Sequence, residues 1–148
     1  CSEGQEPPGW PATPLWHGPL AWITSTRYAP HRQDPLPLAL ARNGCAWARA
    51  AIGALDRAGR AYRVAYRSQS QLGTHAPVLA GLAVTVGPAG PAPEGLRFMR
   101  ADEGMPPLPR YGVLLLQAQD APSPAVTALA RYIADAFAEE APRVLPAA

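Results

Sequence analysis

Lysine is missing altogether. All 13 basic side chains are arginine, and Asn43 is the lone asparagine. Without lysine no Gly-Lys-Ser/Thr phosphate loop can form, and no G-x-G-x-x-G follows a predicted strand. Cysteine is scarce, with Cys1 and Cys45 only. Two are too few for a disulfide framework and point to a reducing compartment. No His-x-x-x-His or Cys-x-x-Cys spacing is present, so no metal site or metal cofactor is expected. The longest apolar stretch, residues 76–90, is interrupted by Pro77, Gly81 and Gly87 and falls short of a membrane span. The arginines are scattered from Arg27 to Arg143 and the net charge is only +2, which argues against direct nucleic-acid binding by this chain.

What is abundant is apolar and proline. Hydrophobic residues make up 48% against 16% charged, the balance of a globular chain rather than a disordered one. The 19 prolines gather at the start and around Pro88 to Pro109, where extended connections are expected. Residues 1–14 have no periodicity and read as irregular. "PLAWITS" (19–25) reads as a buried strand, and Leu36, Leu38 and Leu40 alternate in a short extended segment.

The clearest helix follows, with Ala48, Ala51, Ile52, Leu55 and Ala58 on one face, Asn43 as N-cap and Gly59 just past its end. "AYRVAYR" (61–67) alternates like a strand. Ser70 then caps a second helix that Gly81 ends, with Pro77 predicting a late start or a kink. Leu82–Val86, "LRFMRA" and "YGVLLLQA" read as strands. Ser123 and Pro124 open a last helix whose face is Val126, Leu129, Ala130, Ile133 and Phe137. Strands alternating with helices imply a parallel, Rossmann-like α/β unit.

In that order, "PLAWITS", "DPLPLALARNGCAWARAAIGALDRAGRAYRVAYRSQS", "VLAGLAVTVGP", "GMPPLPRYGVLLLQA" and "SPAVTALARYIADAF" resemble the C-terminal effector-binding domain of LysR-type transcriptional regulators. The resemblance covers residues 19–137 and rests on order and spacing, since each piece is short and apolar. Pro77 departs from an ordinary helical residue, and Ala83 from the second glycine of the family's Gly-Leu-Gly. The implied fold is α/β, a periplasmic-binding-protein type II subdomain with the returning part of a second, incomplete subdomain.

The corresponding division is an irregular segment over 1–18, effector-binding subdomain II over 19–95, the return strands and helix of subdomain I over 96–140, and a tail over 141–148. The resemblance further implies a fragment of a longer cytoplasmic, homo-oligomeric regulator. Its partners would be a small-molecule effector and, through a winged helix-turn-helix domain absent from this chain, DNA. "YGVLLLQA" and the last helix are then expected to expose apolar surface.

In such a domain the effector lies in the cleft between subdomains. Strand carboxyl ends and the following helix starts are where the contacts belong. Those positions are Asn43, Gly44 and Cys45 at the first helix, Ser68, Gln69, Ser70 and Gln71 at the second, and Gly87 and Pro88 after the next strand. Thr24, Ser25 and Thr26 are placed at the crossover. Taken singly, Ser70 and Asn43 are better explained as N-caps, and Gly87 and Pro88 can simply end a strand; the ligand reading rests on all three places converging in one cleft. Cys45 with His17, His31 or His75 lacks any hydrolase signature, so no enzyme activity is expected; the histidines read as surface or loop residues and Asp102–Glu103 as a solvated pair. The alternative function is a solute-binding lipoprotein anchored through Cys1.

Overall fold

The computed structural model describes residues 8–42, 44–118 and 123–140. In chain order these form β1 (Ala12–Ser25), β2 (Leu36–Ala41), α1 (Ala46–Arg57), β3 (Tyr62–Ser68), α2 (Gln71–Leu79), β4 (Thr85–Pro88), β5 (Leu96–Phe98), β6 (Arg110–Leu116) and α3 (Pro124–Glu140). Single 3₁₀ turns occupy Pro30–Arg32 and Ala101–Glu103. Two compact units emerge: Pro19–Pro109, and the described residues before Pro19 together with those from Arg110 onward. The first of these runs past residue 95, where the sequence division placed a boundary, because β5 pairs antiparallel with the end of β1.

β2 organises the larger unit. It pairs in parallel with β3, from Leu36 opposite Tyr62 to Ala41 opposite Ser68. On its other side Ala39 N–H donates to Val84 O and Val84 N–H donates to Pro37 O, both at 2.9 Å. A strand bonded on both sides and covered on both faces must be apolar throughout, and "LPLALA" is. The period of two divides its side chains. Leu36, Leu38 and Leu40 pack with Ala48, Ala51 and Leu55 of α1, Trp22 and Val84. Ala39 faces the other way, onto Val78 of α2, Ile23, Ala83 and Leu96. Ala83, the departure from the family's glycine, is thus a buried methyl in this second cluster.

Both helices close with the same device. Arg60 N–H reaches Leu55 O and Gly59 N–H reaches Asp56 O; Leu82 N–H reaches Pro77 O and Gly81 N–H reaches Val78 O. This pairing requires the left-handed backbone that Gly59 (φ 62) and Gly81 (φ 74) supply. Pro77 does not delay α2, which begins at Gln71; the ring sits in the final turns instead.

The parallel order inferred from alternation holds only for β2, β3 and the Val84 bridge. β1 is antiparallel to both β4 and β5. It also starts at Ala12, seven residues before the predicted strand. Residues 1–14 read as irregular for want of periodicity, yet the fixed φ of Pro14 suits an extended strand.

In the smaller unit β6 pairs β1, and Gln117 N–H donates to Pro11 O at 3.2 Å. Ser123 Oγ accepts from Val126 N–H at 3.3 Å and caps α3. Val126, Leu129 and Phe137 on the predicted apolar face of α3 are exposed, whereas Leu114 of β6 is buried.

Candidate functional site

Because Ala41 and Ser68 are register partners, the carboxyl ends of β2 and β3 lie side by side. The turns leaving them therefore share one edge. At the first, Gly44 takes a positive φ of 97° and its carbonyl accepts from Arg49 Nη1 at 3.0 Å. Asn43 lies outside the described residues. The N-cap of α1 is Cys45 rather than Asn43, and the Cys45 side chain makes no capping hydrogen bond among the described residues. Cys45 is half-buried and packs against the leucine cluster of β2, the role of a small apolar residue.

At the second turn, Ser70 N–H donates to Ser68 Oγ at 3.2 Å, and Gly73 N–H donates to Ser70 Oγ at 3.1 Å. Both hydroxyls thus hold the turn and cap α2. Gln69 and Gln71 are exposed and form no side-chain hydrogen bond among the described residues. α2 comes so close here that a Cβ on Gly73 would lie 2.1 Å from Ser68 Oγ.

β4 continues from Val84 in the direction of β2, so Gly87 and Pro88 reach the same edge. They pair with Ala21 and Leu20, and Ala89 N–H donates to Pro19 O at 2.9 Å.

Thr24, Ser25 and Thr26 do not join them. β1 runs antiparallel to β4, with Leu20 opposite Pro88 and Ile23 opposite Thr85, which carries residues 24–26 to the far end. Thr24 and Ser25 are buried, Ser25 Oγ accepts from Arg27 N–H, and Thr26 Oγ1 donates to Gly95 O at 3.1 Å. Ser25 and Thr26 line a recess of about 320 Å³ with Leu79 and Ala80, at the carboxyl end of α2. The crossover between units falls instead between Gly18 and Pro19.

A polar cluster at the amino-terminal edge of β2 and β3 departs from the sequence reading. His31 lies in a turn, as expected, but is buried, and His75 is buried within α2 rather than in a loop or at the surface. Glu103 is not a solvated neighbour of Asp102: it receives Arg97 at 2.6 and 2.7 Å and Arg100 N–H at 2.8 Å, with His31 Nε2 at 3.6 Å. Arg60 donates to Gly104 O at 2.7 Å and to His31 O. These contacts join residues up to 72 positions apart, and no local pattern signals them.

The hydrogen bonds from Arg97 and from Arg100 N–H hold the Glu103 carboxyl at about 2, from 4.5. Burial lowers the His31 and His75 imidazoles below 6.5. All three shifts make the unfolded chain the better proton acceptor, so they remove stability as pH falls. Stability is expected to decline below pH 6.5 as the histidines charge, and again from 4.5 towards 2 as Glu103 protonates. Urea midpoints against pH check this. Glu103→Gln should lower the midpoint at neutral pH and flatten the lower limb of the curve.

The LysR substrate binding domain model matches residues 1–138. The HTH-type transcriptional regulator DgdR of Burkholderia cepacia is 39% identical over 127 residues, which are 86% of this chain and 40% of that protein. The chain thus spans well under half of its curated relative.

Among solved structures, the C-terminal domain of a probable LysR family transcriptional regulator from Rhodococcus sp. RHA1 superposes with a TM-score of 0.61. It is 22% identical, over 89% of this chain and 71% of that one. The regulatory domain of Synechocystis PCC6803 CcmR, solved in complex with 2-PG, gives 0.58 at 18% identity, over 96% and 73%. These structural likenesses establish a shared fold, the periplasmic-binding-protein type II α/β fold that the sequence resemblance implied. The family match favours a LysR substrate binding domain over a lipoprotein anchored through Cys1, which lies outside the described residues. The chain belongs to the LysR substrate binding domain family.

Proposed function

We propose that this chain senses a small polar or anionic effector for a cytoplasmic, homo-oligomeric LysR-type transcriptional regulator, and that it catalyses no reaction. DNA contacts in that regulator belong to a winged helix-turn-helix domain outside this chain. The contacts proposed for the effector are Asn43, Gly44, Cys45, Ser68, Gln69, Ser70, Gln71, Gly87 and Pro88; Thr24, Ser25 and Thr26 are left out because they lie at the other end of β1. The observation that carries the reading is local. The helix start at Cys45, whose own side chain makes no capping hydrogen bond, and the exposed amides of Gln69 and Gln71, without side-chain hydrogen bonds among the described residues, share one strand edge. Backbone N–H groups and the helix dipole there favour a negative or polar group. An effector shifts the regulator only by binding one of its conformations better than another.

A thermal-shift screen with small carboxylic acids, amino acids and aromatic compounds supplies the test ligand. The best binder should lose roughly tenfold in affinity with Gln69→Ala or Gln71→Ala, the loss of one hydrogen bond to a polar ligand, while the unliganded melting temperature stays put. Undiminished binding by both variants contradicts the proposed edge.

A further inference from the structure

The amino-terminal edge of β2 and β3 holds a recess of about 630 Å³, lined by His31, Arg32, Arg60, Arg100, Asp102 and Glu103. Its charges do not balance. Glu103 is taken by Arg97 in a two-pronged pair, and Asp102 by Arg100 at 3.1 Å. Arg60 is held by carbonyls, those of Gly104 and His31, and by Met105 Sδ at 3.1 Å, and no carboxylate among the described residues pairs with it. The Arg32 side chain is exposed and makes no hydrogen bond or ion pair among the described residues; its backbone N–H alone is engaged, by Ala29 O at 3.1 Å. Two guanidinium charges therefore face one concavity uncompensated. A third feature is independent of charge: the His31 side chain lining the recess is 94% buried by its 6% exposure, and its Nδ1 has no hydrogen-bond partner among the described residues.

We propose that this recess is a second ligand site, taking a small tetrahedral oxyanion of the phosphate class between Arg32 and Arg60. Planar guanidinium forks match such oxygens, and an anion supplies the counter-charge that the carboxylates there, already paired, do not. Asp102 and Glu103 repel an extended polyanion, whereas a single small anion fits the concavity. The site is separate from the effector edge by the length of β2 and β3, about 20 Å at the rise of an extended strand.

Calorimetric titration of the whole chain tests it, with inorganic phosphate and with glycerol 3-phosphate, against sodium chloride at matched ionic strength. Saturable phosphate binding is expected, roughly tenfold weaker in Arg32→Gln, whose exposed side chain leaves the fold intact. Arg100→Gln, which frees Asp102, should also weaken it. Tighter binding of glycerol 3-phosphate would identify a phosphorylated metabolite as the source; equal binding would identify the free anion. An identical response to chloride, or wild-type phosphate affinity in Arg32→Gln, overturns the proposal. So does a phosphate response lost in Gln69→Ala and kept in Arg32→Gln, which would put the anion at the effector edge.

Discussion

Leu38→Ala should lower the unfolding free energy by about 2–5 kcal/mol, towards the upper end of that range. Leu38 is fully buried in the strand that β3 flanks on one side and Val84 on the other. Its side chain sits among Leu36, Leu40, Leu55, Trp22 and the small helix residues Ala48 and Ala51. Removing three carbons loses their transfer free energy and leaves a cavity. That cavity cannot collapse, because the backbone on both sides is held by ladder hydrogen bonds and α1 already approaches closely through alanine. In urea the midpoint falls while the slope against denaturant is kept. Leu72→Ala is the matching control. Leu72 is 83% exposed, so the same chemical change there should move stability by less than about 0.5 kcal/mol.

Gly73→Ala comes second and reaches the site as well as the fold. By helix propensity alone, alanine would gain about 1 kcal/mol over glycine inside α2. The geometry reverses the sign. The new Cβ would stand 2.1 Å from Ser68 Oγ and 2.7 Å from Ser68 Cβ, with Ser70 Oγ at 3.2 Å. The hydroxyl can rotate away, but Cβ of Ser68 moves only with the backbone of β3, so overpacking should win by about 1–3 kcal/mol net. Moving Ser68 also removes the acceptor of Ser70 N–H and displaces the turn that presents Gln69 and Gln71. Stability and effector affinity should therefore fall together. Adding Ser68→Gly removes the obstructing atoms, so the double variant should regain much of the loss, a coupling that a double-mutant cycle measures. Gly73→Ala as stable as wild type would mean that α2 does not pack against Ser68 as described.

The features readable in the sequence were those with local causes. α1 showed itself by apolar spacing, its stop by Gly59, and α2 by the Ser70 cap and Gly81. β2 was visible in the alternation of Leu36, Leu38 and Leu40, although only the structure shows that Ala39 between them is buried too. What escaped depends on pairing across the chain. The first half of β1 is hidden by its want of periodicity. Thr24, Ser25 and Thr26 read as crossover residues yet lie several positions beyond the unit boundary, because a strand's composition encodes neither where it changes unit nor its direction relative to its neighbours. An antiparallel partner reverses which end meets the helix starts. His31 and Glu103 are 72 positions apart, and their association depends on how two 3₁₀ turns meet at one edge. For the proposed site, the two helix-start turns were legible as a pair because each follows a recognisable strand. That Ser68 and Ser70 spend their hydroxyls on the turn, leaving the flanking glutamines uncommitted, was not.

The central claim is that the effector meets this unit at the carboxyl ends of β2 and β3. Backbone amide chemical shifts of the whole chain, recorded with and without the best binder from the screen, test it most directly. The expected result is a set of perturbations concentrated at Gly44, Cys45 and residues 68–71. Perturbations centred on residues 24–28 instead, with the two helix starts unmoved, would contradict it.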